Sequence, residues 1–122
     1  MLTEEQAAAY GFSLAVRSGD LLFCSGQVGT EADGSTPTDP ARQFELAFAG
    51  LGKVLASHGL APADLVDLTS FHVGYPVNME AFAIAKARFL AGGLPAWTAV
   101  GVAALGHPET LIEVKAIARF KG

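Results

Sequence analysis

Two amphipathic helices, and no more than two of useful length, are written into this chain, and that limits what its remaining apolar residues can do. Asp39 followed by Pro40 is a helix start, because the carboxylate caps free N–H groups and proline suits the first helical position. Phe44, Ala47, Phe48, Leu51, Val54 and Leu55 then recur at helical spacing up to His58, where Gly59 stops the run. Asn78 opens a second helix whose stripe is Met79, Phe82, Lys86 by its aliphatic stem, and Phe89, ending at Gly92-Gly93. The other apolar segments read as strands: Phe12 to Arg17, Leu21 to Ser25, Leu65 to Val73, Trp97 to Ala103 and Leu111 to Phe120. Ser18-Gly19-Asp20 turns the first strand into the second. Thr3 and Gln6 have capping-box spacing, which predicts a short helix over 4–9, and Gly26 to Thr38 reads as a polar loop. Two helices cannot cover both faces of the resulting sheet. The expected fold is α+β with two layers, both helices on one face, and the other face in need of a partner.

Composition points the same way. Residues 1–122 make a single domain of 12.6 kDa, with 51% hydrophobic residues, 16% charged residues and a mean hydropathy of +0.37. Soluble domains average about 25% charged residues, so a chain of this size has more apolar surface than its own interior can absorb. Disorder is excluded, and a homo-oligomer is expected.

The formal charge of −4 has the wrong sign for a protein that gains affinity by neutralising phosphates, so no nucleic-acid partner is expected. The single cysteine, Cys24, cannot form an internal disulfide. The opening Met1-Leu2-Thr3-Glu4-Glu5 is acidic where a secretion signal is basic, and the longest uncharged stretch, Phe89 to Gly106, is broken by Gly92-Gly93 and Pro95. The expectation is a cytoplasmic protein with no membrane partner.

Candidate chemistry gathers at three places. Cys24-Ser25-Gly26-Gln27 stands where a strand runs into a glycine-rich loop; Cys24 reads either as a small buried hydrophobe or as a presented group, and Ser25 lacks the surroundings of an activated nucleophile. Glu113 shares a strand face with Lys115 and Arg119, opposite Val114, Ala116, Ala118 and Phe120; it is either half of a wet surface pair with Lys115 or a proton-transfer group facing a cleft. Trp97, at a strand start, either fills the core or forms an apolar wall. His58, His72 and His107 have no metal-ligand spacing, so no metal is expected, and His72 alone is a candidate for a pocket.

The segments Phe23-Cys24-Ser25-Gly26-Gln27, Gly59-Leu60, Asp64-Leu65-Val66, Pro95 to Val102 and Ile112 to Ala118 together resemble the Rid family, also called YjgF/YER057c/UK114, in order from about Tyr10 to Phe120. The resemblance implies a chorismate-mutase-like fold with a mixed sheet, a homotrimeric barrel and three clefts between subunits. It also implies hydrolysis of reactive enamines and imines such as 2-aminoacrylate without a cofactor. In the best-known branch an arginine two residues after the strand-start proline clamps the substrate carboxylate; here that position is Trp97, which carries no charge. The family's cleft tyrosine corresponds to Phe12 and its cysteine to Ala99, so the chain looks more like the arginine-lacking branches. Ser25, Gly26 and Glu113 are retained. On this basis Glu113 is the expected catalytic residue, handling proton and water, with Phe12, Ser25, Gly26, Trp97, Thr98, Ala99 and Val100 binding the substrate. The cleft should then be largely apolar and prefer neutral or aromatic ligands stacked on Trp97. A trimer that holds metabolites or protects proteins without turnover is the alternative, and a ribonuclease is the weakest reading.

Overall fold

A computed structural model describes residues 1–121; the last residue of the domain, 122, lies outside the described residues. Helix α1 (Glu4–Ala9) is followed by strands β1 (Ala15–Ser18) and β2 (Leu21–Val28), helix α2 (Pro40–Ser57), a 3-10 turn (Pro62–Asp64), strand β3 (Leu65–Val73), helix α3 (Met79–Leu90), and strands β4 (Ala96–Val102) and β5 (Ile112–Arg119). The five strands form one mixed sheet in the order β1-β2-β5-β3-β4. Only β3 and β4, joined through α3, run parallel. The last strand in sequence is therefore the middle of the sheet, paired antiparallel to both β2 and β3.

Local signals explain most of the boundaries. The Thr3 hydroxyl accepts from the Gln6 amide at 3.1 Å while the Gln6 side chain accepts from the Thr3 amide at 2.9 Å, which is the expected capping box. Asp39 caps α2 by accepting from the Ala41 amide at 3.2 Å, with Pro40 in the first turn. Asn78 precedes α3 as expected but makes no side-chain cap bond, and the helix ends one residue early, with Ala91 left-handed at φ 48° before Gly92. Gln43, buried in α2, donates to the carbonyls of Pro37 and Glu109, each at 2.9 Å, and accepts from the Leu111 amide at 2.9 Å, which ties both flanking loops to the helix.

Two boundaries differ from the sequence reading. The first regular strand begins at Ala15 rather than Phe12, because the Phe12 amide bonds back to the Ala7 carbonyl of α1. The second runs on through Ser25-Gly26-Gln27 to Val28, where a loop was expected. A bulge between Cys24 and Gln27 absorbs the glycine, and pairing resumes as Gln27 with Val114 and Val28 with Glu113.

Both long helices pack on the same sheet face, as the two-layer expectation requires. Phe44, Phe48, Leu51 and Leu55 of α2 and Phe82 of α3 are buried against Leu22, Leu68, Val114 and Ala116. Phe82 sits at the centre of this core, edge-on to Phe44 at 5.4 Å. The opposite face is bare. Val16, Phe23 and Ile117 form a row across β1, β2 and β5, with Val16 and Phe23 exposed to 55% and 44%. The single chain exposes 6775 Å², where a monomer of this mass exposes roughly 6,200 Å². Among the described residues no helix is long and apolar enough to cross a membrane.

Candidate functional site

The strand register sorts the candidate residues onto two sides of the sheet. Val100, Phe71, Glu113 and Val28 lie in one row across β4, β3, β5 and β2, and Thr98, Thr69 and Lys115 in another, all directed at the bare face. Trp97 and Ala99 alternate to the helix-covered face, where Trp97 pairs with the buried Leu68. The residues expected to bind substrate are thus divided within one chain.

The first group centres on Glu113. Its carboxyl group rests on the α-carbon of Gly26, so closely that a β-carbon there would stand 2.6 Å from both the carboxyl carbon and Oε2. The bulge in β2 creates this seat by turning a residue without a side chain toward β5. Beside it, the Ser25 hydroxyl donates to the Ser13 carbonyl at 2.6 Å and the Ser25 amide donates to the Leu14 carbonyl at 2.9 Å. These bonds fix the segment that carries the exposed Phe12, so Phe12, Ser25, Gly26 and Glu113 belong to one corner of the chain. Glu113 and Lys115 form no ion pair among the described residues. Cys24, adjacent in sequence, points into the core at 2% exposure, and burial pushes its thiol up to about 11. It is a small buried hydrophobe without thiolate character.

The second group centres on Trp97, exposed to 40% on the edge strand. Its indole N–H donates to the Ser70 hydroxyl at 2.9 Å, its ring lies over Phe82 with centroids 6.2 Å apart, and the Lys86 ammonium sits 3.3 Å from the ring centroid. One face of the ring on which a neutral ligand was expected to stack is therefore occupied by a cation. Phe82 and Lys86 are four residues apart on α3, so one helix face supplies both contacts. Sequence periodicity located the Lys86 stem correctly but not the destination of its charge, which depends on how α3 lies across β4.

Ser70 also contacts His72 Nε2 at 2.8 Å. The indole can only donate, so the hydroxyl accepts from Trp97 and shares its second hydrogen bond with His72 Nε2. The His72 ring packs edge-on against Phe82 at 4.6 Å, and burial holds its pKa below the ordinary 6.5. It is a satisfied core histidine that braces the tryptophan. Tyr75, which the sequence analysis did not single out, approaches His72 at 5.8 Å and covers Gly101, where a β-carbon would meet its Cβ at 3.1 Å. No sequence signal marked it. Among the described residues no three His, Cys, Asp or Glu side chains gather as a metal site.

A five-strand mixed sheet covered on one face only, with a carboxylate seated on a glycine bulge at the other, defines an α+β protein of the YjgF-like fold. The sequence profile described as Endoribonuclease L-PSP matches residues 3–120, and the chain belongs to this Rid/YjgF/L-PSP family. It is 43% identical over 114 residues to the RutC family protein YjgH of Escherichia coli K12, covering 93% of this chain and 86% of that protein. The solved structure of protein YJGH superposes with a TM-score of 0.84 at 40% identity, covering 94% of this chain and 88% of the other. Rv2704 of Mycobacterium tuberculosis, described as a member of the YjgF/YER057c/UK114 family, gives a TM-score of 0.82 at 27% identity, over 94% of this chain and 92% of the other.

Proposed function

We propose that this protein is a cofactor-independent hydrolase of small reactive imines, enamines or related C=N metabolites, working in clefts shared between neighbouring copies of a cytoplasmic homotrimer. The observation that carries the reading is the Glu113 carboxyl group held on Gly26 beside Ser25, at the bare face of the sheet. Water adds to the electrophilic carbon of the C=N bond as Glu113 takes a water proton and returns it to the nitrogen. The carbinolamine hydroxyl then gives up its proton, by way of Glu113, to the amine; the C–N bond breaks, ammonia leaves and C=O remains.

The division of the candidate residues supports a shared cleft. Glu113 and Trp97 are separated by β3 and by three residues along the strand, or about 10 Å in each direction, and they face opposite sides of the sheet. One small metabolite cannot span that distance through the sheet. A second copy laid against the bare face and the β4 edge can bring its own Trp97, Thr98, Ala99 and Val100 toward the first copy's Glu113.

Trp97 in place of the arginine removes a two-pronged carboxylate clamp, so 2-aminoacrylate should be hydrolysed less efficiently than by an arginine-bearing relative. The deficit expected from a lost charge-assisted clamp is roughly 30- to several-thousand-fold at low substrate. The endoribonuclease description of the family is the reading this chain supports least. A phosphodiester chain would meet a net charge of −4, and the histidines lie on separate elements, His72 being engaged in the core.

The test is turnover of a panel of imines by wild type and by Glu113→Gln. A loss of about 100-fold or more in the variant supports the hydrolase. Equal turnover overturns the role of Glu113, and binding without turnover makes the protein a metabolite-holding trimer instead.

A further inference from the structure

We propose that Lys86, held on the face of Trp97, is the specificity-determining cation of the β4 edge and selects ligands that carry an anionic group such as a carboxylate. This rests on the reading of that edge as one wall of the reactive cleft, and it replaces the expectation of a neutral ligand.

The charge is real and unanswered. Among the described residues Lys86 forms no ion pair, and its ammonium meets only the indole ring, at 3.3 Å. An ammonium has three N–H donors, and a ring face engages one side of it. The rest of the hydration shell is open to exchange for a stronger acceptor. Partial burial already disfavours the charged form, lowering the Lys86 pKa, so a nearby anion would recover what desolvation takes.

The platform is rigid. Trp97 is anchored by its N–H to Ser70, by Phe82 beneath it, and through Ser70 by the buried His72. A fixed indole holds the ammonium near one position, which lowers the ordering cost of binding. Ala99 and Gly101 follow Trp97 on the same face of β4 and add no charge, while Tyr75 covers Gly101 with a neutral ring. Within one chain the local field is that of one cation without a counter-charge, since Glu113 lies on the other side of the sheet.

The chemistry differs from that of an arginine at the Trp97 position. A guanidinium fixes a carboxylate by two parallel hydrogen bonds, whereas an ammonium on a flexible stem is a point charge that tolerates several anion orientations. Lys86 therefore selects for charge but not for the geometry of the anion, consistent with slow hydrolysis of a substrate that needs both.

Trp97 is the only tryptophan, so its emission reports on this wall directly. The full-length protein is titrated with pyruvate and with its neutral amide, pyruvamide, as wild type, Lys86→Met and Lys86→Arg. Methionine keeps the stem and helix propensity but removes the charge. The expected result is a response to pyruvate at about tenfold lower concentration than to pyruvamide, retained in Lys86→Arg, lost in Lys86→Met, and weakened by salt. Equal responses to the two compounds, no response to either, or an undiminished preference in Lys86→Met would overturn the proposal. Turnover through Glu113 is read separately: a Lys86-dependent preference without imine hydrolysis defeats the hydrolase and leaves this inference standing, while hydrolysis without the preference does the reverse.

Discussion

Glu113 occupies the space that a side chain at position 26 would need: a β-carbon on Gly26 would come within 2.6 Å of its carboxyl carbon and 2.8 Å of its Cγ. The obstructing atoms belong to the flexible end of a side chain, so Gly26→Ala should fold and displace the carboxyl group rather than the backbone. Imine turnover should fall by about 100-fold, the scale of a misplaced catalytic group, with less than about 1 kcal/mol lost in stability. Turnover equal to wild type, measured together with a denaturation curve, would show that the Glu113 position is immaterial.

Ser70 is fully buried and serves two partners at once, Trp97 Nε1 at 2.9 Å and His72 Nε2 at 2.8 Å. Ser70→Ala leaves both without their bond. It should cost about 2 kcal/mol in urea denaturation and shift the Trp97 emission, because the indole loses its anchor. An unchanged emission spectrum would mean that Phe82 and Lys86 hold the ring alone.

His72 makes stability depend on pH with a definite sign. Burial depresses its folded pKa below the ordinary 6.5, so the unfolded chain binds the proton more readily. The contribution is fully present above pH 6.5 and is lost as pH falls from there toward the folded pKa, at up to about 1.4 kcal/mol per pH unit. Denaturation midpoints between pH 7.5 and pH 5 should therefore decline less steeply for His72→Gln than for wild type, as glutamine keeps a hydrogen-bonding group for Ser70 but does not titrate. Parallel curves would remove His72 from the account.

The row Val16, Phe23 and Ile117 gives the bare sheet face an apolar patch with no helix above it. Native mass spectrometry should find a species of about three times 12.6 kDa. Phe23→Asp places a charge in that face and should shift the population to monomers with unchanged helical circular dichroism. A trimer that survives the substitution would locate the contact elsewhere.

The amino-acid sequence by itself determined the elements and the imbalance between them. Capping at Thr3 and Asp39, the apolar stripe of α2 and the alternation in β3 and β5 depend on neighbours within a few residues, and these local rules sufficed to predict two layers with an uncovered face. The placement of Glu113 on a strand was likewise legible from the alternation in β5. What only the tertiary structure decided is which residues meet. The Gly26 bulge exists because β2 pairs with β5, nearly ninety positions away in sequence. The separation of Trp97 from Glu113 follows from β3 being inserted between β4 and β5, an order that no local pattern encodes. Lys86 looked like a helix residue with a buried stem; the crossover of α3 onto β4 sets its ammonium on an indole, where the family resemblance had led to the expectation of an apolar surface.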